Sequence, residues 1–191
     1  MMQIIKDAID PYLLRSLYAC WPDESWRGWH RYKDSHANKY GSRSHNDLPT
    51  PAMPCIMQMI EAVTDCVDLP DYCFPDLELH GAGLHMLPSG GYLRRHLDSS
   101  YMEATGWKRE YSCVLGVNPE WDCRFDGGEF ILNETSVDPE FNQLVVFKTT
   151  ETSYHEVLEI TGLRPRLSLC VFYWSEEEPA DYSRDKARFF N

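Results

Sequence analysis

No run of apolar residues in this chain approaches a membrane span, and Met1-Met2-Gln3-Ile4-Ile5-Lys6-Asp7 has neither the charged nor the apolar block of a secretory signal. Both absences point to a soluble protein with no membrane partner. Basic residues are scarce: Lys and Arg number 18 against 30 Asp and Glu, a formal net charge of −12. That balance disfavours a binder of nucleic-acid backbones, although Arg94-Arg95 and Lys108-Arg109 could form a local basic surface. Paired cysteines are missing too. Cys20, Cys55, Cys66, Cys73, Cys113, Cys123 and Cys170 are odd in number and include no Cys-x-x-Cys. This argues against a disulfide framework or a zinc ribbon, and free thiols suit a reducing cytoplasm.

What is present is the composition of a globular protein. With 191 residues, 43% of them hydrophobic, the chain can bury one core, and a single domain over 1–191 is expected. Within it, 1–70 supplies helices and an irregular loop, 77–175 a β core, and 176–191 a charged, solvated tail. Asp10-Pro11 reads as N-cap and first position of a helix with Leu13, Leu14, Leu17 and Tyr18 on one stripe. A second helix is expected from Pro54 to Val67, where Ile56, Met59, Ile60 and Val63 keep the helical period. Between them, 22–50 is polar and rich in aromatics and histidines, and reads as a long irregular loop with surface histidines, a substrate lid being the alternative.

From Leu77 onward the pattern is short strands divided by Gly and Pro turns: 77–80, 83–87, the stretch after Gly90-Gly91, 112–117, 130–132, 144–147 and 167–174. The expected fold is mainly β with flanking α-helices, a double-stranded β-helix (jelly roll, cupin-like).

In Gly90-Gly91-Tyr92-Leu93-Arg94-Arg95-His96-Leu97-Asp98, strand alternation puts His96 and Asp98 on one face, about 6–7 Å apart along the backbone. Taken alone, His96 reads as a core histidine and Asp98 as a turn residue. About sixty residues later comes His155, and eleven after that Arg166 in Arg166-Leu167-Ser168 on an apolar strand. Two histidines and one carboxylate can hold one metal ion and leave positions open, which suits non-haem Fe(II). His85 lacks a carboxylate at that spacing, and both His80 and His85 read as structural or supporting residues.

That order of residues, with Val117-Asn118-Pro119-Glu120-Trp121 and Asp126-Gly127-Gly128-Glu129-Phe130, resembles the prolyl-4-hydroxylase-like branch of the Fe(II)/2-oxoglutarate-dependent oxygenases over about 77–175. The resemblance implies Fe(II) on His96, Asp98 and His155, and 2-oxoglutarate as cosubstrate, with ascorbate as an optional third factor. It implies hydroxylation of a C–H bond by O2 with release of succinate and CO2, Asp98 favouring this over halogenation. The substrate would be a prolyl or other residue in a protein or peptide. The alternatives are a free amino acid or other small molecule, or a non-catalytic metal-binding sensor or scaffold. Arg166 would hold the distal carboxylate of 2-oxoglutarate with help from Ser168, Arg164 being the other choice. Relatives often carry an aromatic residue where this chain has Leu87, and Tyr-Leu-Asn where it reads Gly116-Val117-Asn118. Tyr92, Tyr101 and Tyr111 are the tyrosines available to replace them in the cosubstrate pocket, or to serve as sheet packing.

Overall fold

The computed structural model describes residues 2–177 and 186–190. Strand β1 (Met2–Ile5) leads into α1 (Pro11–Ala19). The Asp10 carboxylate accepts from the backbone N–H groups of Tyr12 (2.7 Å) and Leu13 (3.4 Å), capping the helix as expected. Leu14 and Leu17 turn inward from it and are fully buried.

The stretch 22–50 is not an irregular loop. It contains an antiparallel hairpin, β2 (Trp29–Lys33) and β3 (Ala37–Ser42), turned by Asp34, whose carboxylate accepts from the N–H groups of His36 and Ala37. Helix α2 (Ala52–Cys66) starts two residues before Pro54 and buries Cys55, Ile56, Met59 and Val63. After β4 (Phe74–Pro75), residues 77–80 are turn rather than strand. Asp76 overrides their alternation: its carboxylate accepts from the N–H groups of Glu78 (3.0 Å) and His80 (2.7 Å), winding the chain around one buried side chain.

The β core continues through β5 (Gly83–Leu87), β6 (Tyr92–Leu97), β7 (Tyr101–Met102), β8 (Trp107–Gly116), the single-turn α3 (Cys123–Asp126), β9 (Phe130–Leu132), β10 (Thr135–Val137), β11 (Leu144–Lys148), β12 (His155–Val157) and β13 (Arg166–Ser175). The strand order is β1-β11-β8-β13-β5-β3-β6-β12-β9-β10, a curled antiparallel sheet. Strand β3 lies between β5 and β6: Tyr40 pairs with Met86, and Ala37 with Leu93. The hairpin therefore joins the two halves of the sheet.

All ten residues of β13 are buried. One face of this strand packs with α1 and α2 through Leu167, Leu169 and Val171, and the other looks across the curl of the sheet. Leu169 is wholly buried, worth about 1.5–3 kcal/mol in apolar transfer alone. A second apolar cluster, including Leu87, Phe130, Phe147 and Val157, fills the inside of the curl.

The charged tail departs from the expected solvated end. Residues 178–185 lie outside the described residues, but β14 (Arg188–Phe189) pairs with β6, setting Phe189 opposite His96.

Candidate metal and cosubstrate site

His96 and His155 are direct partners across β6 and β12. Their rings sit 4.1 Å apart, and each Nε2 is 3.6 Å from Oδ1 of Asp98, just past the end of β6. One ligand atom from each residue lies within 4.8 Å of the others. Backbone carbonyls orient the imidazoles: His96 Nδ1 donates to Arg94 O (2.9 Å) and His155 Nδ1 to Ser153 O (3.0 Å). A carbonyl can only accept, so Nδ1 carries the proton and both Nε2 lone pairs face Asp98.

Asp98 is divided between two tasks. Oδ1 faces the histidines, while Oδ2 accepts from Ser112 Oγ (3.0 Å) and lies 3.3 Å from Arg109 Nη1. Burial alone would raise its pKa. The charges of His155, when protonated, and of Arg109 outweigh that and hold the carboxyl well below its ordinary range. Burial and neighbouring His155 depress His96, which favours the neutral, ligating form. Nitrogen and oxygen donors without thiolate, one carboxylate and an open side fit Fe(II). Ser112→Ala and Arg109→Gln, which touch only the far oxygen of Asp98, are expected to weaken Fe(II) binding roughly 10- to 100-fold in an anaerobic titration.

Arg109 was expected on a basic surface. It is instead buried, its guanidinium 3.7 Å from the Phe172 ring centroid. Arg94 and Arg95 are exposed, lying over the rings of Tyr92 and Tyr154.

The three ligating side chains open onto a cavity of about 160 Å³. Arg166 and Ser168, inward-facing on β13, line the same cavity. Burial lowers the Arg166 pKa to about 10, leaving it a cation at neutral pH. Its only hydrogen bond among the described residues is from Nη1 to Ser168 Oγ, at 3.4 Å, and Nε has no partner. A buried guanidinium so poorly satisfied fits an incoming carboxylate, such as the distal one of 2-oxoglutarate. Arg164 is occupied elsewhere. It donates to Asp126 Oδ2 (2.6 Å) and to the carbonyls of Pro119 and Glu120.

The two motifs flanking the ligands support this arginine. Asn118 accepts from Leu167 N (2.7 Å) and donates to Pro165 O (2.9 Å), fixing the start of β13. Gly128, at φ +77°, packs so closely that a Cβ there would lie 2.5 Å from Ile160 and 3.1 Å from Arg166 Cδ.

The tyrosines are placed otherwise than expected. A bulge between Leu93 and His96 breaks the alternation of β6, so Leu93 rather than Tyr92 faces the cavity. Tyr92 donates its hydroxyl to Asp34 O in the hairpin turn (2.8 Å). On β8 the cavity receives Ser112 and Val114, and Tyr111 points into the core beneath the helices. Tyr101, on β7, pairs with Lys108 on β8 and is not in the cavity wall.

Several residues reach the site that periodicity does not flag. Lys39, from the hairpin, lines the cavity with His85 and Cys170. His85 Nε2 donates to Gly81 O (3.2 Å), and its Nδ1 lies 3.6 Å from Cys170 Sγ. Burial drives the imidazole down to about 3 and the thiol up to about 12, so the pair is neutral and offers no thiolate nucleophile. Phe189 stacks on His96 (5.2 Å, 25°), with His36 on its other face (4.7 Å, 20°). The Glu-rich stretch at 176–178 hid that aromatic return.

Residues 82–174 match the family model described as the 2OG-Fe(II) oxygenase superfamily. No curated protein gives a significant match. Among solved structures, a Pseudomonas putida prolyl-4-hydroxylase aligns at 22% identity and TM-score 0.65, covering 92% of each chain. A Trichoplax adhaerens prolyl hydroxylase, solved with a hypoxia-inducible-factor peptide fragment, aligns at 17% and 0.63 over 92% of this chain and 84% of its own. The viral collagen prolyl hydroxylase of Paramecium Bursaria Chlorella virus-1, in a 2-oxoglutarate complex, aligns at 10% and 0.64 over 91% and 96%. These likenesses establish the jelly-roll fold. The assignment rests on the matched family model and the His-x-Asp…His cluster in the cavity wall: residues 82–174 belong to the 2OG-Fe(II) oxygenase superfamily and make the chain an enzyme whose cofactors are Fe(II) and 2-oxoglutarate.

Proposed function

We propose that this enzyme hydroxylates a C–H bond of a prolyl or other residue in a protein or peptide. The observation that carries the hydroxylase reading is one cavity with the His96-Asp98-His155 cluster and the poorly satisfied Arg166 in its wall. With iron bound, the cofactors supply the oxidation: O2 and 2-oxoglutarate are consumed, succinate and CO2 leave, and C–H becomes C–OH.

The chain's own residues bind and orient. His96, Asp98 and His155 would hold the metal, with Asp98 fixed by Ser112 and Arg109 so that one oxygen faces it. Arg166 and Ser168 would clasp the distal carboxylate of the cosubstrate, setting its other end toward the metal. Val114, Phe130, Phe147 and Val157 line the cavity with apolar surface that excludes water. A peptide substrate is supported by the fold shared with three prolyl hydroxylases, one of them solved with a peptide.

The test is an anaerobic titration with Fe(II) and 2-oxoglutarate, followed by aerobic assay of succinate release with a library of proline-containing peptides. The expected result is the weak visible charge-transfer band of chelated cosubstrate, and peptide-stimulated succinate accompanied by a 16-Da mass gain on the peptide (one oxygen atom). A band without stimulation by any peptide would turn the reading to small-molecule substrates. Iron binding without a band would turn it to a sensor or scaffold.

A further inference from the structure

Lys39 is a cation that iron and 2-oxoglutarate leave unused. It projects from β3 into the wall of the cavity, beside His85, Cys170 and Arg109. Among the described residues its ammonium has no hydrogen-bond acceptor and no ion-pair partner in contact; the Tyr32 ring lies 5.3 Å from Nζ, and Asp98 acts on it only from a longer distance. Lys39 is half-buried in that wall, and the partial loss of solvation lowers its pKa.

The other charges of the cavity are matched. Asp98 is shared between the metal position, Ser112 and Arg109. Arg166 is the partner for the distal carboxylate of 2-oxoglutarate. An ammonium partly withdrawn from water with no ion pair in contact gains from a ligand that brings an anion to it.

We propose that Lys39 is the receptor for a carboxylate of the primary substrate, so that the enzyme selects a C–H bond close to an acidic group. This rests on the oxygenase reading of the same site and narrows its substrate class. The chemistry favours a carboxylate over a phosphate. A phosphate dianion calls for several donors, but His85 spends its N–H on Gly81 O, and its other nitrogen faces the Cys170 thiol. One ammonium is what that wall presents. The carboxylate has two possible sources, a free amino acid or an acidic residue beside the target in a peptide.

Matched probes separate these sources. Wild-type enzyme loaded anaerobically with Fe(II) and 2-oxoglutarate is titrated with L-proline against L-prolinamide, and with short proline peptides bearing Glu against Gln next to proline. Binding is followed by calorimetry and by perturbation of the charge-transfer band. In at least one pair the acid is expected to bind roughly 10- to 150-fold tighter than its amide, the range for a hydrogen bond to a charged group. Lys39→Met should abolish that preference and keep the 2-oxoglutarate band, and Lys39→Arg should restore part of it. The pair that discriminates identifies the source. Equal affinity of acid and amide in both pairs, no binding by either acid, or a preference that survives in Lys39→Met overturns the proposal. Loss of the band in Lys39→Met reassigns the lysine to the cosubstrate. Absence of the band in wild type instead refutes the underlying oxygenase reading.

Discussion

Arg166→Ala is expected to raise the 2-oxoglutarate concentration for half-saturation by roughly 30- to 5,000-fold, the equivalent of the 2–5 kcal/mol lost when one partner of a buried charge pair is removed. Fe(II) affinity without cosubstrate should stay unchanged, because Arg166 makes no hydrogen bond or ion pair with the metal-facing side chains. The apo-protein should not lose stability on this account, since the guanidinium has no ion partner in it and its removal relieves a desolvated charge. Arg166→Lys should fall between, keeping charge but losing the planar fork. Arg164→Ala is the control. Its pair with Asp126 is partly exposed and worth up to about 1 kcal/mol, so 2-oxoglutarate binding should move by less than about fivefold. The measurement is an anaerobic 2-oxoglutarate titration at fixed Fe(II). If Arg164→Ala does the damage and Arg166→Ala does not, the anchor is assigned to the wrong arginine.

Asp98→Ala should be the most damaging single change, because it acts twice. It removes the only carboxylate of the donor set, and Fe(II) affinity should fall by more than ~100-fold, beyond the loss of a supporting partner. It also leaves Arg109 buried without its ion partner, a cost of about 3–5 kcal/mol in unfolding free energy. The two effects are separable. The double variant Asp98→Ala/Arg109→Leu should recover much of the stability in urea denaturation and none of the iron affinity. Recovery of iron binding in the double variant would mean that Asp98 holds Arg109 rather than metal.

The sequence shows the metal-facing residues because their signal is local and chemical: His96 and Asp98 two apart on a strand, and a lone His155 ahead of an apolar strand. The choice between Arg164 and Arg166 could not be read, because both share strand parity. Asp126, about forty residues upstream, captures Arg164 and leaves Arg166 as the one of the two that lines the cavity. The hairpin was hidden for a different reason. On β3, Ala37, Lys39 and Gly41 share strand parity, but this face carries one small residue, one lysine that reaches the cavity and one glycine set against the His85 ring. Such a strand lacks the apolar alternation by which strands are recognised. Leu77 and Leu79 showed that alternation without forming a strand, because Asp76 offered the backbone better partners. Tyr92 was displaced by a bulge, which no two-residue period can anticipate.

The carbonyls that steer His96 and His155 bear on when iron enters in the life of the chain. Nearly sixty residues separate Asp98 from His155, so an ion gathering them from an unfolded chain would have to close a long loop. In the folded sheet the imidazoles are already aimed by Arg94 O and Ser153 O, contacts that involve no metal. Iron is therefore expected to load onto a finished fold rather than nucleate it. Chelation should subtract only the mass-action gain of binding, about 2.7 kcal/mol at a hundred times the dissociation constant. It should return a folded apoenzyme ready to be recharged, in contrast to small zinc domains, which unravel when their ion is withdrawn.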